Sequence, residues 1–272
     1  MLLNILGAGS TDTGIEVVDL LSDDGFVGRR LHLHNASTQL EATQCLAQTF
    51  VENPQDILQE LVNAAVNLCG ADSAGISIEQ EDKTEDNYYH WVATAGEYAD
   101  FLNATLPRYP SACGICLERG RPQLFRVSQR FFDIMKVDAP VVADGILIPW
   151  VVEETRGTIW IMSHRNAEAF DGEDLRLMLT LANFAAMGVR HQRQQKILMA
   201  KAKTAAAAAL ANELAHRINN PLQSVVNLLY IARDGDGSAT APELAEELSG
   251  PVQRLSDLVR EILALPLSDL SK

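Results

Sequence analysis

Residues 145–164 read GILIPWVVEETRGTIWIMSH. Two runs rich in β-branched and aromatic residues, GILIPWVV (145–152) and GTIWIMSH (157–164), flank the polar tetrapeptide EETR, which predicts a pair of strands. Pro149 has no amide hydrogen to give a ladder, so it predicts an edge position or a bulge for the first of them. Upstream, SAGISIEQ (73–80) and YYHWVATAG (88–96) alternate in the same way around the polar loop EDKTEDN. Between the two pairs lies a loop-rich excursion ending in another short strand, QLFRV (123–127).

Helical spacing brackets this β-rich block. From Ala36 to Cys69, Leu40, Leu46, Phe50, Ile57, Leu61, Ala65 and Leu68 recur at helical intervals, interrupted near Asn53-Pro54 and stopped by Gly70. On the other side, FDGEDLRLMLTLANFAAM turns helical again, with Asp171 as N-cap and Asp174 near the first-turn amides. No strong stop follows through residue 220; Gly188 weakens the helix locally and the alanine run restores its propensity. A pattern over 172–220 outruns the ~25 residues of an ordinary globular helix and predicts a coiled-coil-like connector.

The apolar face continues past Pro221 through Leu222, Val225, Val226, Leu229 and Ile231, breaks at RDGDGSATAP (233–242), and resumes from Pro242 through Leu244, Leu248, Val252, Leu255, Val259 and Ile262. Residues 205–264 thus predict a helical hairpin whose apolar stripes are covered when two hairpins pair as a four-helix bundle. The fold class is α+β: an antiparallel sheet flanked by helices, then a long helix and a hairpin. The expected divisions are a variable or poorly ordered lead-in (1–36), a sheet domain (37–195), and connector plus hairpin (196–272).

The 272 residues carry a formal charge of −14, which offers no basic field for nucleic acid or anionic lipid. No run of 18 or more uncharged apolar residues is present to span a membrane, and the opening MLLNILGAGSTDTG lacks a basic n-region. Four cysteines are too few for a disulfide framework, so reduced thiols in a cytoplasmic protein are the simplest reading.

His216, in ELAHRINNPLQ (213–223), admits three readings: core residue, metal ligand or nucleophile. Leu214, Ile218, Leu222 and Val225 set the stripe expected to be buried, and His216 points away from it at 100° per residue. Its helical neighbours Asn212, Glu213, Asn219 and Asn220 are polar. No second His or Cys lies three or four residues away, so a metal site is not expected. A solvent-facing nucleophile remains.

ELAHRINNPLQSVVNLL resembles the phosphoacceptor box of sensor histidine kinases, and VQRLSDLVREILAL (252–265) resembles the second helix of their dimerisation and phosphoacceptor domain. The resemblance implies that His216 accepts a phosphoryl group and that Asn220 helps orient a water for dephosphorylation. Many members carry an acid directly after the histidine, whereas this chain has Arg217; Glu213 is the candidate substitute, or Arg217 steadies the incoming phosphoryl group. Pro221 is expected to bend or loosen the helix. Only LPLSDLSK follows the hairpin, so ATP is expected to act only through a separate catalytic domain, supplied in trans or absent from this chain. The implied partners are a second copy of the chain and a response-regulator receiver domain.

Residues 38–195 resemble a GAF domain in the pieces LCGADSAGISI, HWVATAG, LPRYPSACGICLERGRPQLF, ILIPW, GTIWIMSH and AFDGEDLRLMLTLANFAA. His90, Trp91, Trp150 and Trp160 are candidate lining of a cavity for an unknown small molecule, with aromatic core as the plainer reading. Cys113 and Cys116 have dithiol spacing, but the favoured reading is small residues in a loop over the pocket. Neither cysteine is followed by the histidine of bilin-binding relatives. The leading function is two-component signalling, a GAF sensor coupled to a phosphoaccepting histidine. The alternatives are a non-catalytic dimeric scaffold with a vestigial histidine box, or a thiol-based redox sensor.

Overall fold

In the computed structural model, residues 12–32, 35–234 and 240–264 are described. The chain divides into two compact units, Met1–Gln195 and Lys196–Lys272. The expectations for the first residues, the glycine-rich loop at 235–239 and the tail after 264 lie outside the described residues. Among the described residues, no helix is long and apolar enough to cross a membrane.

In the first unit, β1 (Ile15–Asp19), β2 (Ser73–Glu79), β3 (Tyr89–Gly96), β4 (Thr105–Leu106), β5 (Gln123–Val127), β6 (Val142–Val152) and β7 (Thr155–Ser163) form one sheet. Its order is β1-β5-β6-β7-β2-β3-β4, every neighbour antiparallel. The opening hairpin is β6–β7, in register from Asp144↔Ser163 to Val152↔Thr155. β6 is a central strand, yet its pairing with β5 ends at Leu147, so Pro149 lies where that flank of the strand has no ladder to feed.

Alternation sorts the strand residues between two cores. Ala74, Ile76, Ile146, Ile148, Trp150, Ile159 and Ile161 face α2 (Ala36–Glu52), α3 (Ile57–Cys69) and the start of α6 (Gly172–Asp234). Phe125, Val127, Leu147, Trp160 and Met162 face α4 (Ala112–Arg119) and α5 (Gln129–Met135). On β3 a bulge opposite Ile76/Ser77 flips the parity, so Trp91 joins the second core while Ala93 and Ala95 join the first.

The helices end where the sequence predicts. Asn53-Pro54 separates α2 from α3, and Gly70 closes α3 in the left-handed region at φ 60°. At the start of α6, Asp171 Oδ1 accepts from the Glu173 amide at 2.7 Å, and Asp174 Oδ2 accepts from the Asp171 amide at 3.0 Å, a reciprocal cap. Gly188 does more than weaken α6: a Cβ there would stand 2.9 Å from Ile57 Cγ2 and 3.2 Å from Leu58 Cδ2, so its bare Cα lets the helices approach.

Residues 12–32 depart from the expected lead-in. β1 pairs with β5 from Ile15↔Val127 to Asp19↔Gln123, and Leu20 and Phe26 are buried, the latter in α1 (Asp24–Val27). Arg29 Nη1 donates to Asp144 Oδ2 at 2.6 Å and Nη2 to Oδ1 at 3.1 Å, and Nη1 also reaches the Phe170 carbonyl. These partners lie more than 100 residues away (separations of 115 and 141), which a local period cannot register.

Asp144→Asn leaves a buried guanidinium without its counter-charge and should cost about 3–5 kcal/mol in chemical denaturation of the whole chain. Asp72 adds a pH dependence. Burial raises its carboxyl pKa, but hydrogen bonds from the His164 amide and Ser163, with Arg165 alongside, outweigh that and hold it below the usual range. A lowered folded pKa means stability that is present above about pH 4 and lost as the pH falls below it. Asp72→Asn should flatten the acid limb of a Tm-versus-pH curve.

Candidate functional site

Each unit carries one candidate site. In the first, the second core does not close completely: a cavity of about 110 Å³ remains between the sheet face, α4, α5 and the 98–106 segment. Trp91 and Trp160 line it, their ring centroids 4.8 Å apart, with Tyr98, Phe125, Phe131 and Leu147 around them. Trp160 reaches its place by lying over Gly75, its partner across the β2–β7 ladder; a Cβ at Gly75 would fall 2.1 Å from Trp160 Cζ2. Phe125 lies over Gly145 and Trp150 over Gly157 in the same manner.

The six residues expected around a pocket are divided by the structure. Trp91, Trp160 and Cys113 line the cavity. Cys116 is buried in the same core without lining it. Trp150 is on the opposite face of the sheet, and half-buried His90 borders a separate polar groove with Glu79, Glu81 and Arg193. Strand parity excludes both. Cys113 and Cys116 sit on a helix rather than a loop: Ser111 caps α4, its Oγ accepting from the Gly114 amide at 3.3 Å.

Burial raises both thiol pKa values. For Cys113 the hydrogen bonds from Ser77 and Thr158 only partly oppose that rise. For Cys116 the neighbouring Cys113 adds to it. Neither cysteine is a poised thiolate.

One polar chain crosses the wall of this core. His164 Nδ1 lies 2.8 Å from the Val141 carbonyl, which only accepts, so the ring proton sits on Nδ1. Nε2 then accepts from Ser73 Oγ at 2.8 Å, and Ser73 Oγ in turn accepts from the Tyr98 amide at 3.1 Å. Tyr98 Oη donates to the Pro140 carbonyl at 2.6 Å. The polar groups of this chain therefore satisfy one another. His32, Asp171 and Asp174 gather their ligand atoms within 4.8 Å, but Asp171 already accepts from the Glu173 amide and Asp174 from the Asp171 amide, and His32 Nδ1 lies 3.1 and 3.3 Å from the two carboxylates.

In the second unit, α6 pairs with α7 (Ala241–Ala264). α7 opens with one arm of a capping box, absent from the sequence reading: Glu243 accepts from both the amide and the hydroxyl of Thr240, each at 2.8 Å. On α6 the residues withdrawn from solvent include Leu214, Ile218, Pro221, Val225 and Leu228, and on α7 Leu244, Leu248, Pro251, Leu255, Leu258 and Ile262. Both sets step by alternating fours and threes, a heptad seam. Pro221 takes the place expected for Leu222, because that spacing selects position 221, and α6 continues through it to Asp234.

His216, Glu213 and Asn220 are exposed. Among the described residues, no hydrogen bond holds the His216 ring, from Glu213 or any other group. Arg217 instead crosses to α7, its Nη2 2.5 Å from Glu261 Oε2 and Nη1 3.2 Å from Oε1. The Arg217 hydrogen bond and charge hold the Glu261 carboxyl below the usual range. A polar cleft lies along this flank, lined by Arg217, Asn220, Ser224, Arg254, Asp257 and Glu261.

Comparison with known proteins bears on the first unit alone. The chain is similar to the GAF domain of a Coxiella burnetii phosphoenolpyruvate-protein phosphotransferase at 19% identity, over 60% of this chain and 99% of that one, with a TM-score of 0.48. The corresponding Acinetobacter domain matches at 13% identity over 59% and 97% of the two chains, also at 0.48. A phycoerythrobilin-bound GAF domain from a cyanobacterial phytochrome matches at 12% over 60% and 100%, at 0.45. No curated protein matches the chain. The GAF domain family model matches residues 51–190, more than half of the chain, and the chain belongs to that family.

Proposed function

We propose that this is a two-component signalling protein in which the GAF domain senses a small molecule and the C-terminal hairpin presents His216 as a phosphoacceptor. The observation that carries the reading is the solvent-facing, unencumbered His216 ring, off the heptad seam and followed by Asn220-Pro221. A ring that no neighbouring group holds presents its nitrogens to an incoming phosphoryl group. Arg217 is committed to Glu261, so its role in this reading is to fix the hairpin, leaving Asn220 to position water. The phosphoryl group comes from a separate ATP-binding domain or a phospho-receiver, and a response-regulator receiver domain takes it on.

The working unit in this reading is a homodimer. Arg217 and Ser224 precede seam residues on α6, and Arg254 and Glu261 do so on α7; the Arg217–Glu261 contact marks this as one shared flank. The positions that follow the seam form the other flank: Leu222 and Leu229 with Val252 and Val259, 42%, 54%, 53% and 51% exposed. An apolar flank two helices wide is the kind of surface a second hairpin covers in a four-helix bundle.

Incubated with ATP and a kinase catalytic domain, or with a phosphorylated receiver, the chain should gain an acid-labile label that is absent in His216→Gln. No label from any donor would leave the scaffold reading, in which the histidine box is vestigial. Asn220→Ala should keep acceptance and slow hydrolysis of the label. Leu222→Asp should convert the dimer to a folded monomer in sedimentation, because it burdens the outer flank and spares the seam. The redox reading predicts fast modification of Cys113 and Cys116; their burial predicts that an aromatic disulfide reagent labels exposed Cys45 first and reaches them only on unfolding.

A further inference from the structure

The GAF cavity has a chemical character of its own. Among the described residues no charged side chain lines it, so a phosphate or carboxylate would enter without a counter-charge. Its polar side chains are largely occupied: Tyr98 Oη is bonded to Pro140, Ser111 Oγ caps α4, and Cys113 Sγ accepts from Ser77 and Thr158. Two groups are not. The indole Nε1 atoms of Trp91 and Trp160 are buried and have no hydrogen-bond partner among the described residues. Both belong to residues at least nine-tenths withdrawn from solvent, 8% and 1% exposed. An indole nitrogen only donates, so what these two lack is an acceptor.

The volume sets the size. A dry apolar cavity of ~150 Å³ accommodates benzene; at about 110 Å³ this one is smaller, so it takes at most a single ring, with part of the ligand at the margin of exposed Thr105 and partly exposed Leu106 and Ala112. We propose that the cavity binds a small uncharged aromatic molecule carrying one carbonyl or similar oxygen, which accepts from the indole N–H of Trp91, Trp160 or both. The inference rests on the cavity being the sensor site of the proposed function. It sets this domain apart from one built for a nucleotide or an open-chain tetrapyrrole, whose charged groups would meet no cation here.

The test uses the full-length chain labelled with ¹⁵N on tryptophan, which gives three indole resonances, and three probes. Acetophenone has the acceptor, α-methylstyrene replaces that oxygen with a methylene of nearly the same shape, and benzoate adds a charge. Acetophenone should saturate, move the Trp91 or Trp160 indole proton downfield, and leave Trp150, on the other face of the sheet, in place. Benzoate should not bind. Trp91→Phe with Trp160→Phe as its companion should identify the donor: one of them weakens acetophenone about tenfold, the scale of a single buried hydrogen bond, and leaves α-methylstyrene unchanged. Should a variant fail to fold, the wild-type indole shifts still decide.

Absence of saturable acetophenone binding, tighter binding of benzoate, or identical indole shifts from α-methylstyrene would overturn the proposal. The same samples separate it from the signalling reading. Saturable acetophenone binding with no label on His216 supports the ligand class and removes the phosphoacceptor. A labelled His216 with an empty cavity does the reverse.

Discussion

Asp144 is a carboxylate with no water around it, and the first unit is arranged to make that tolerable. Its side chain is fully buried on the central strand β6 and receives the Arg29 guanidinium in a two-pronged grip, together with the Ala169 amide at 3.0 Å and the Phe170 amide at 3.3 Å. Arg29 Nη1 and Nη2 also donate to the Phe170 and Ala167 carbonyls, while its buried Nε has no partner among the described residues. One charge therefore fixes the N-terminal segment, the middle of the sheet and the turn leading into α6. A buried pair of this kind adds little net stability over an apolar pair of similar volume, but removing half of it is severe. What it contributes is a shared constraint, since groups from all three segments together satisfy the two charges.

Elements with their own local period were legible in the sequence. The four long strands, QLFRV, the helices on either side of Asn53-Pro54, the Gly70 stop and the Asp171 cap all follow from spacing and turn chemistry. β1 did not, because five residues of an outer strand have no period long enough to read, and Arg29 acquires meaning only from a carboxylate 115 residues away. The candidate pocket was half legible. Aromatic strand residues were the right population, but which face each occupies depends on exact register, so Trp150 and His90 fell on the wrong side. The strand glycines held the missing signal: Gly75, Gly145 and Gly157 each sit beneath an aromatic ring from the neighbouring strand, and a glycine inside a strand pattern marks such a close approach.

The hairpin shows the same division. Helices and exposed His216 follow from the 3.6-residue period, whereas the choice of Pro221 over Leu222 for the seam appears only when α7 supplies the matching heptad. The pairing of Arg217 with Glu261 was likewise invisible, since the residues are 44 positions apart. Once that pair is known, the two flanks acquire opposite characters, one polar and one apolar, and a single contact sorts both helices.

Pro221 inside α6 has a mechanical meaning. A helix resists bending through its ladder of backbone bonds, and a proline removes one rung, leaving the carbonyl four residues back, that of Arg217, without its usual donor. Bending compliance concentrates at such a gap. The gap lies one turn beyond His216 and is embraced by the side chain that ties Arg217 to α7. The imidazole is thus mounted beside a joint with a brace across it, so its orientation is set by a spring rather than by a rigid rod.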